Sequence, residues 1–129
     1  TATPPHREIH KTALGAEDLV SWEHVSDTLV AVERLQAAGY TIVSVEQTSL
    51  SIPLQKLAAT ATHKYAVVFG HEVFGVHDTV LAACDICVEI PQHGTKHSLN
   101  VSVAMGIVIW QLSSSLDHSS AGCCPAPTR

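Results

Sequence analysis

Three short apolar runs set the frame of this chain: residues 40–45 (YTIVSV), 65–69 (YAVVF) and 86–90 (ICVEI). They are rich in β-branched residues, and Gly39, Gly70 and Pro91 punctuate them. Runs of this length and composition read as strands buried on both faces. Stretches with helical signals alternate with them. Ser26 or Asp27 is a good N-cap for a helix running to Ala38, whose apolar face is Leu29, Val30, Val32, Leu35 and Ala38, with Gly39 as its stop. A short helix over 54–57 follows Pro53, and Asp78 caps another reaching Ala83. This alternation predicts one α/β domain of three layers, a parallel sheet with helices on both faces. Ligands in such sheets sit at the carboxyl ends of the strands.

The remaining segments read less regularly. Residues 8–13 form a short helical piece broken by Gly15, and 20–24, with Trp22, reads as a short strand. Ser98 is the expected cap of a helix from Leu99 to about Leu112 that is apolar nearly all round. A helix of that kind must be covered on every side, so it predicts deep enclosure or a subunit interface. Residues 1–112 are expected to form the domain and 113–129, rich in Ser, Pro and Cys, a flexible tail.

Composition excludes several classes. The most apolar stretch, 101–112, is interrupted by Ser102, Gly106 and Gln111, so no membrane span is expected. The polar, Pro-containing start carries no visible signal peptide, and the cytoplasm is the expected compartment. The only methionine is Met105, so a processed or partial chain is expected. Twelve acidic against seven basic residues give a formal charge of −5, unlike a strongly basic DNA-binding module. Basic residues gather only in local patches such as Arg7/His10/Lys11 and Lys96/His97. Cys84-x-x-Cys87 lacks a second half with zinc spacing and reads as a pair of reduced structural thiols. No metal is expected.

Two loops are chemically conspicuous. The first, 70–77, places Gly70 and Gly75 around Glu72, which either reaches a cleft or is simply solvated. The second, 90–102, gathers Gly94, Lys96, Ser98 and Asn100 at a strand–loop–helix corner. Backbone N–H groups at that helix start would face an anion or a polar ligand edge. Asn100 in the first turn of an apolar helix needs partners for its amide, and capping is the simpler role for both Asn100 and Ser98, more readily for Ser98. Ser98 and His97 are adjacent and point apart, and no G-x-S-x-G elbow occurs. Phosphate-loop and dinucleotide fingerprints are absent as well.

Phe69-Gly70-His71-Glu72-Val73-Phe74-Gly75, then Ile90-Pro91-Gln92-His93-Gly94, then Ser98-Leu99-Asn100-Val101-Ser102-Val103-Ala104 resemble, in order and separation, the SpoU/TrmH branch of the SPOUT RNA methyltransferases. The segment from His10 to Glu17 resembles a further block of that family, so the likeness covers residues 10 to 112. It implies an α/β fold with a C-terminal trefoil knot, an exception to the usual chain-path rules. It also implies binding of S-adenosylmethionine, ribose 2′-O-methylation of tRNA or rRNA, and a homodimer. Carried over by position, Gly70, Ile90 and Leu99 would bind the cofactor, and Glu72, Ser98 and Asn100 would be polar active-site residues. The family activates the ribose hydroxyl with an arginine in an Asn…Arg-Thr block, which has no counterpart in residues 1–129. That block would precede Thr1. Without it, the alternative is a catalytically incompetent cofactor-binding or dimeric RNA-associated module.

Overall fold

The computed structural model describes residues 3–71, 73–94 and 99–117. Four strands, β1 (Tyr40–Val45), β2 (Ile52–Pro53), β3 (Lys64–Phe69) and β4 (Ile86–Glu89), form one sheet in the order β2-β4-β1-β3, with every pairing parallel. Thr41 and Val43 lie opposite Tyr65 and Val67 of β3, and Val43 also lies opposite Ile86 of β4. The helices are α1 (Arg7–Ala13), α2 (Thr28–Ala37), α3 (Asp78–Ala83) and α4 (Val101–Asp117).

Alternation along β1 divides the core between the two faces of the sheet. Ile42 packs with Val32 of α2, with Val76 and with Val80 of α3. Val43 packs on the other face with Val88, with Leu54 and Leu57, and with Val108 and Leu112 of α4. Helices thus cover both faces, as the strand–helix alternation requires. Ser44 is the fully buried polar residue of β1; its Oγ donates to the Ile86 carbonyl at 3.3 Å. Asp85 fastens the same region: its Oδ2 accepts from Ile42 N–H at 2.7 Å, and Gln36 of α2 donates to the Ala83 carbonyl at 2.9 Å.

Local signals explain most boundaries. Asp27 caps α2, its carboxylate accepting from Leu29 N–H at 2.8 Å, and Gly39 leaves the helix at φ +81°. The cap of α3 is His77, one residue before the expected Asp78, with the ring accepting from Thr79 N–H. Residues 20–24 are not a strand. They pair with no strand among the described residues, and Leu19, Val20 and Trp22 are exposed. Without a neighbouring edge or a core to face, an apolar run has nothing to make it extended sheet. The two-residue β2 was not foreseen from periodicity. Helix α4 starts at Val101 and continues past Leu112 to Asp117. Its serines tolerate the extension by bonding back to carbonyls, Ser113 to Trp110 at 3.0 Å and Ser115 to Gln111 at 2.8 Å. Residues from 118 onward, and with them most of the expected tail, lie outside the described residues.

Only a narrow strip of α4 is buried. Val108 and Leu112 enter the core, while Val103, Ile109 and Trp110 are 52%, 55% and 74% exposed. The expectation of a helix enclosed on every side does not hold within one chain. No helix among the described residues is long and apolar enough to cross a membrane.

The turn after α1 is tied by Glu17, whose carboxylate accepts from Gly15 N–H at 3.0 Å and contacts the His10 ring. Its own backbone N–H, then His10, hold this carboxyl below the ordinary value of 4.5. A depressed folded-state value means the tie is present above the unfolded carboxylate range and is lost as pH falls through the folded value. Titration followed by NMR is expected to show Glu17 protonating below 4.5. A midpoint at or above 4.5 would contradict the tie.

Candidate active site

A cleft of about 560 Å³ opens at the carboxyl ends of β1, β3 and β4. Gly70, which ends β3, Ile90, which ends β4, and Leu99, just before α4, all line it. Three segments distant in sequence therefore meet at one place, where open parallel sheets present their ligands. The described lining also includes Glu46, Asp78 and Glu89, and no lysine or arginine.

The loop after β3 is closed on itself. His71 N–H donates to the Gly75 carbonyl at 3.0 Å and Gly75 N–H returns to His71 at 2.8 Å. The His71 ring accepts from Val73 N–H at 3.1 Å and lies 5.2 Å from the Phe74 ring. Gly75 has φ +66°, a conformation that disfavours any side chain. Gly70 is needed for space instead: a Cβ there would sit 2.6 Å from Val76 N and 2.7 Å from Gly75 Cα.

Of the expected polar site residues, Glu72 and Ser98 lie outside the described residues. Asn100 is exposed and caps α4, its Oδ1 accepting from Ser102 N–H at 2.9 Å and its carbonyl from Ala104 N–H at 3.0 Å. The cap expected of Ser98 is thus supplied by Asn100. It is not among the residues lining the cleft, although its neighbours Leu99 and Val101 are. Arg34 is paired with Glu23 at 3.0 Å and does not line the cleft. Lys96 and His97 lie outside the described residues, whereas Arg7, His10 and Lys11 are exposed on α1.

The two described thiols are held by carbonyls. Cys84 donates to Val80 at 3.1 Å and Cys87 to Glu46 at 3.4 Å. Burial, with the neighbouring Cys87 and Asp85 adding to it, pushes the Cys84 thiol above its ordinary value, against a hydrogen bond with Ser44. Such a thiol stays protonated and is a poor nucleophile. Among the described residues no group of three or more His, Cys, Asp or Glu is placed to hold a metal ion.

Sheet order and cleft position define an open parallel α/β domain with a cleft at its strand ends. Its kinship is narrower than that. The chain belongs to the SpoU rRNA methylase family, whose model matches residues 1–110. A tRNA (guanosine(18)-2′-O)-methyltransferase of Borreliella burgdorferi is 36% identical over 107 residues, 83% of this chain and 48% of the relative. A 23S rRNA (guanosine-2′-O-)-methyltransferase of Nitrosomonas europaea is 35% identical over 80% of this chain and 38% of its own length. The chain thus spans about half the length, or less, of these relatives. Among solved structures, the A. aeolicus TrmH/SpoU tRNA modifying enzyme superposes with a TM-score of 0.78 at 24% identity, over 86% of this chain and 55% of that one. An AdoMet-bound rRNA methyltransferase from Sinorhizobium meliloti gives 0.81 at 20% identity, over 90% and 43%. These two likenesses establish the fold.

Proposed function

We propose that this chain is the cofactor-binding part of an S-adenosylmethionine-dependent methyltransferase acting on a ribose 2′-hydroxyl of tRNA or rRNA in the cytoplasm. The observation that carries the reading is the meeting of Gly70, Ile90 and Leu99 on one cleft. Its volume lies in the range of small-molecule sites. Its described charged groups are carboxylates, which suit a positively charged sulfonium. In this reading a C-terminal knot is formed by α4 passing through the loop made by residues 70–97.

The bound cofactor supplies an electrophilic methyl group; the protein's share is positioning and charge stabilisation. Backbone groups at Gly70, Ile90 and Leu99 would hold the cofactor, and Gly70 has no side chain because the backbone of Gly75 and Val76 takes that space. Glu72, Ser98 and Asn100 are proposed as the polar active-site residues on the family likeness alone. Asn100 spends its Oδ1 on the helix cap, which leaves its side-chain N–H₂ for the substrate. In the family, activation of the hydroxyl belongs to an arginine of an Asn…Arg-Thr block, which residues 1–129 do not contain. The names of the relatives above, a tRNA and a 23S rRNA guanosine 2′-O-methyltransferase, support the substrate class.

The test is calorimetry of the chain with S-adenosylmethionine and its thioether product, joined to mass spectrometry of RNA from a deletion strain. Binding together with loss of one ribose methylation is the expected result. Binding without any lost methylation would favour the noncatalytic module. Loss of a base methylation would refute the 2′-oxygen assignment. Asn100→Ala is expected to lower stability by about 0.5–2 kcal/mol through the lost cap, and turnover further than that loss accounts for. Asn100→Ser restores the cap without the amide, so it should recover the melting temperature and not the rate. Full recovery of both would reduce Asn100 to a cap.

The exposed apolar side of α4 supports a homodimer as the working form. Val103, Ile107 and Trp110 share one side of the helix, and Met105 and Ile109, 40% and 55% exposed, add apolar surface beyond it.

A further inference from the structure

We infer that Glu46 is a positioning residue that clamps the cofactor loop and thereby sets the cleft at Gly70; the inference rests on the cleft being the cofactor site. Glu46 follows β1 directly and its backbone is locked to β4. Its N–H donates to the Val88 carbonyl at 3.0 Å, and its own carbonyl accepts the Cys87 thiol at 3.4 Å. From that fixed base the side chain reaches across to the loop after β3. Oε1 accepts from Gln47 N–H at 2.9 Å and Oε2 from Val76 N–H at 3.1 Å. Both are charge-assisted bonds to backbone donors, the stronger class of hydrogen bond.

The packing is continuous from Glu46 to the cofactor glycine. A Cβ on Gly75 would collide with Glu46 Oε2 and come within 3.3 Å of Cδ, and the three atoms nearest to it would all belong to Glu46. A Cβ on Gly70 would in turn meet the backbone of Gly75 and Val76. Carboxylate, loop end and strand exit are therefore stacked without slack. Because His71 and Gly75 close the loop by two hydrogen bonds, moving its end at Val76 moves it as a unit. Glu46, Gly70, Gly75 and Val76 all border the cleft. An unfastened loop would change the width of the pocket where Gly70 lies, although Glu46 need not touch the ligand.

The test uses the full chain carrying Glu46→Ala, Glu46→Gln, Gly75→Ala, or both alanine changes. Amide exchange is read at Val76, with Val43 as an internal control. Affinities for S-adenosylmethionine and for its neutral thioether product are measured by calorimetry. Glu46→Ala is expected to speed exchange at Val76 and not at Val43. It should weaken both ligands alike by about tenfold, the scale of one lost charged hydrogen bond. Glu46→Gln, which keeps one acceptor oxygen, should lie between. Gly75→Ala should weaken binding in the parent and do so less in the Glu46→Ala background, since the collision it creates is with Glu46.

Unchanged exchange at Val76 overturns the clamp whatever the protein binds. Faster exchange with unaltered affinity overturns its role in setting the cleft. A loss confined to the charged cofactor would make Glu46 a direct electrostatic contact and also overturn the inference. Strict additivity of the two alanine changes does the same. A parent chain that binds neither ligand refutes the proposed function and the cleft-setting role with it; exchange at Val76 then still decides the clamp alone.

Discussion

Gly70→Leu is expected to weaken cofactor binding by about tenfold to a hundredfold while leaving the sheet folded. The first atom of any side chain at this position would lie 2.6 Å from Val76 N and 2.7 Å from Gly75 Cα. These are backbone atoms of a loop closed by two hydrogen bonds, so the usual relief of an overpacked site, a neighbouring side chain turning away, is missing. Overpacking of this kind costs about 1–3 kcal/mol. If the strain falls on the bound state, affinity drops on the order of tenfold to a hundredfold, and the rest of the leucine would occupy ligand space. His71→Ala is the matched comparison: the loop closure is made by the His71 backbone, so affinity should stay within about threefold of the parent, under 1 kcal/mol. Calorimetry on the two variants checks the pair. Retained affinity in Gly70→Leu would remove the cleft from consideration as the cofactor site.

The second large effect is expected on association. Trp110→Glu places a charge where a 74% exposed indole sits beside Ile109 on α4. Buried aromatic residues dominate interface energetics, with losses of about 2 kcal/mol or more on truncation. That corresponds to a rise in the dimer dissociation constant of about thirtyfold or more, visible by sedimentation. Since Trp110 is not part of either core cluster, the melting behaviour of the monomer should change little. Val108→Ala is the opposite case: fully buried against Val43, Val88 and Leu112, it should cost stability without a specific effect on association. A Trp110→Glu protein that sediments like the parent would refute an interface on this face.

The strands were legible because their burial is two-sided, which turns the sequence into unbroken β-branched runs; 40–45 matches β1 at both ends. Helix α2 was equally clear from its cap and its Gly39 stop. Residues 20–24 misled because an apolar run says nothing about whether a partner edge exists, and there none is paired. The end of α4 was set too early because serine is a weak helix former, and its back-bonding to carbonyls is invisible in a residue pattern. The positions of Gly70, Ile90 and Leu99 around a cleft came from a family likeness and from the rule about strand ends, not from periodicity. Glu46 escaped notice because an acid after a strand reads as an ordinary polar connection. Its meaning lies in contacts with residues thirty positions away, Val76 above all.

The sheet order has a consequence for how this polypeptide behaves. β3 lies at the end of the order β2-β4-β1-β3 and is paired with β1 alone among the described residues. Six residues of backbone, KYAVVF, therefore present an outward row of donors and acceptors, with Lys64 as the one charged side chain among them. Such a border is a template on which a further strand can be laid, from the same polypeptide or from another molecule. Self-association can then proceed by two routes with different grammar. Contact through α4, in the proposed homodimer, would be side chain on side chain and would close after one copy. Accretion at β3 is main chain on main chain, indifferent to side-chain identity, and has no built-in stopping point unless a strand caps the border.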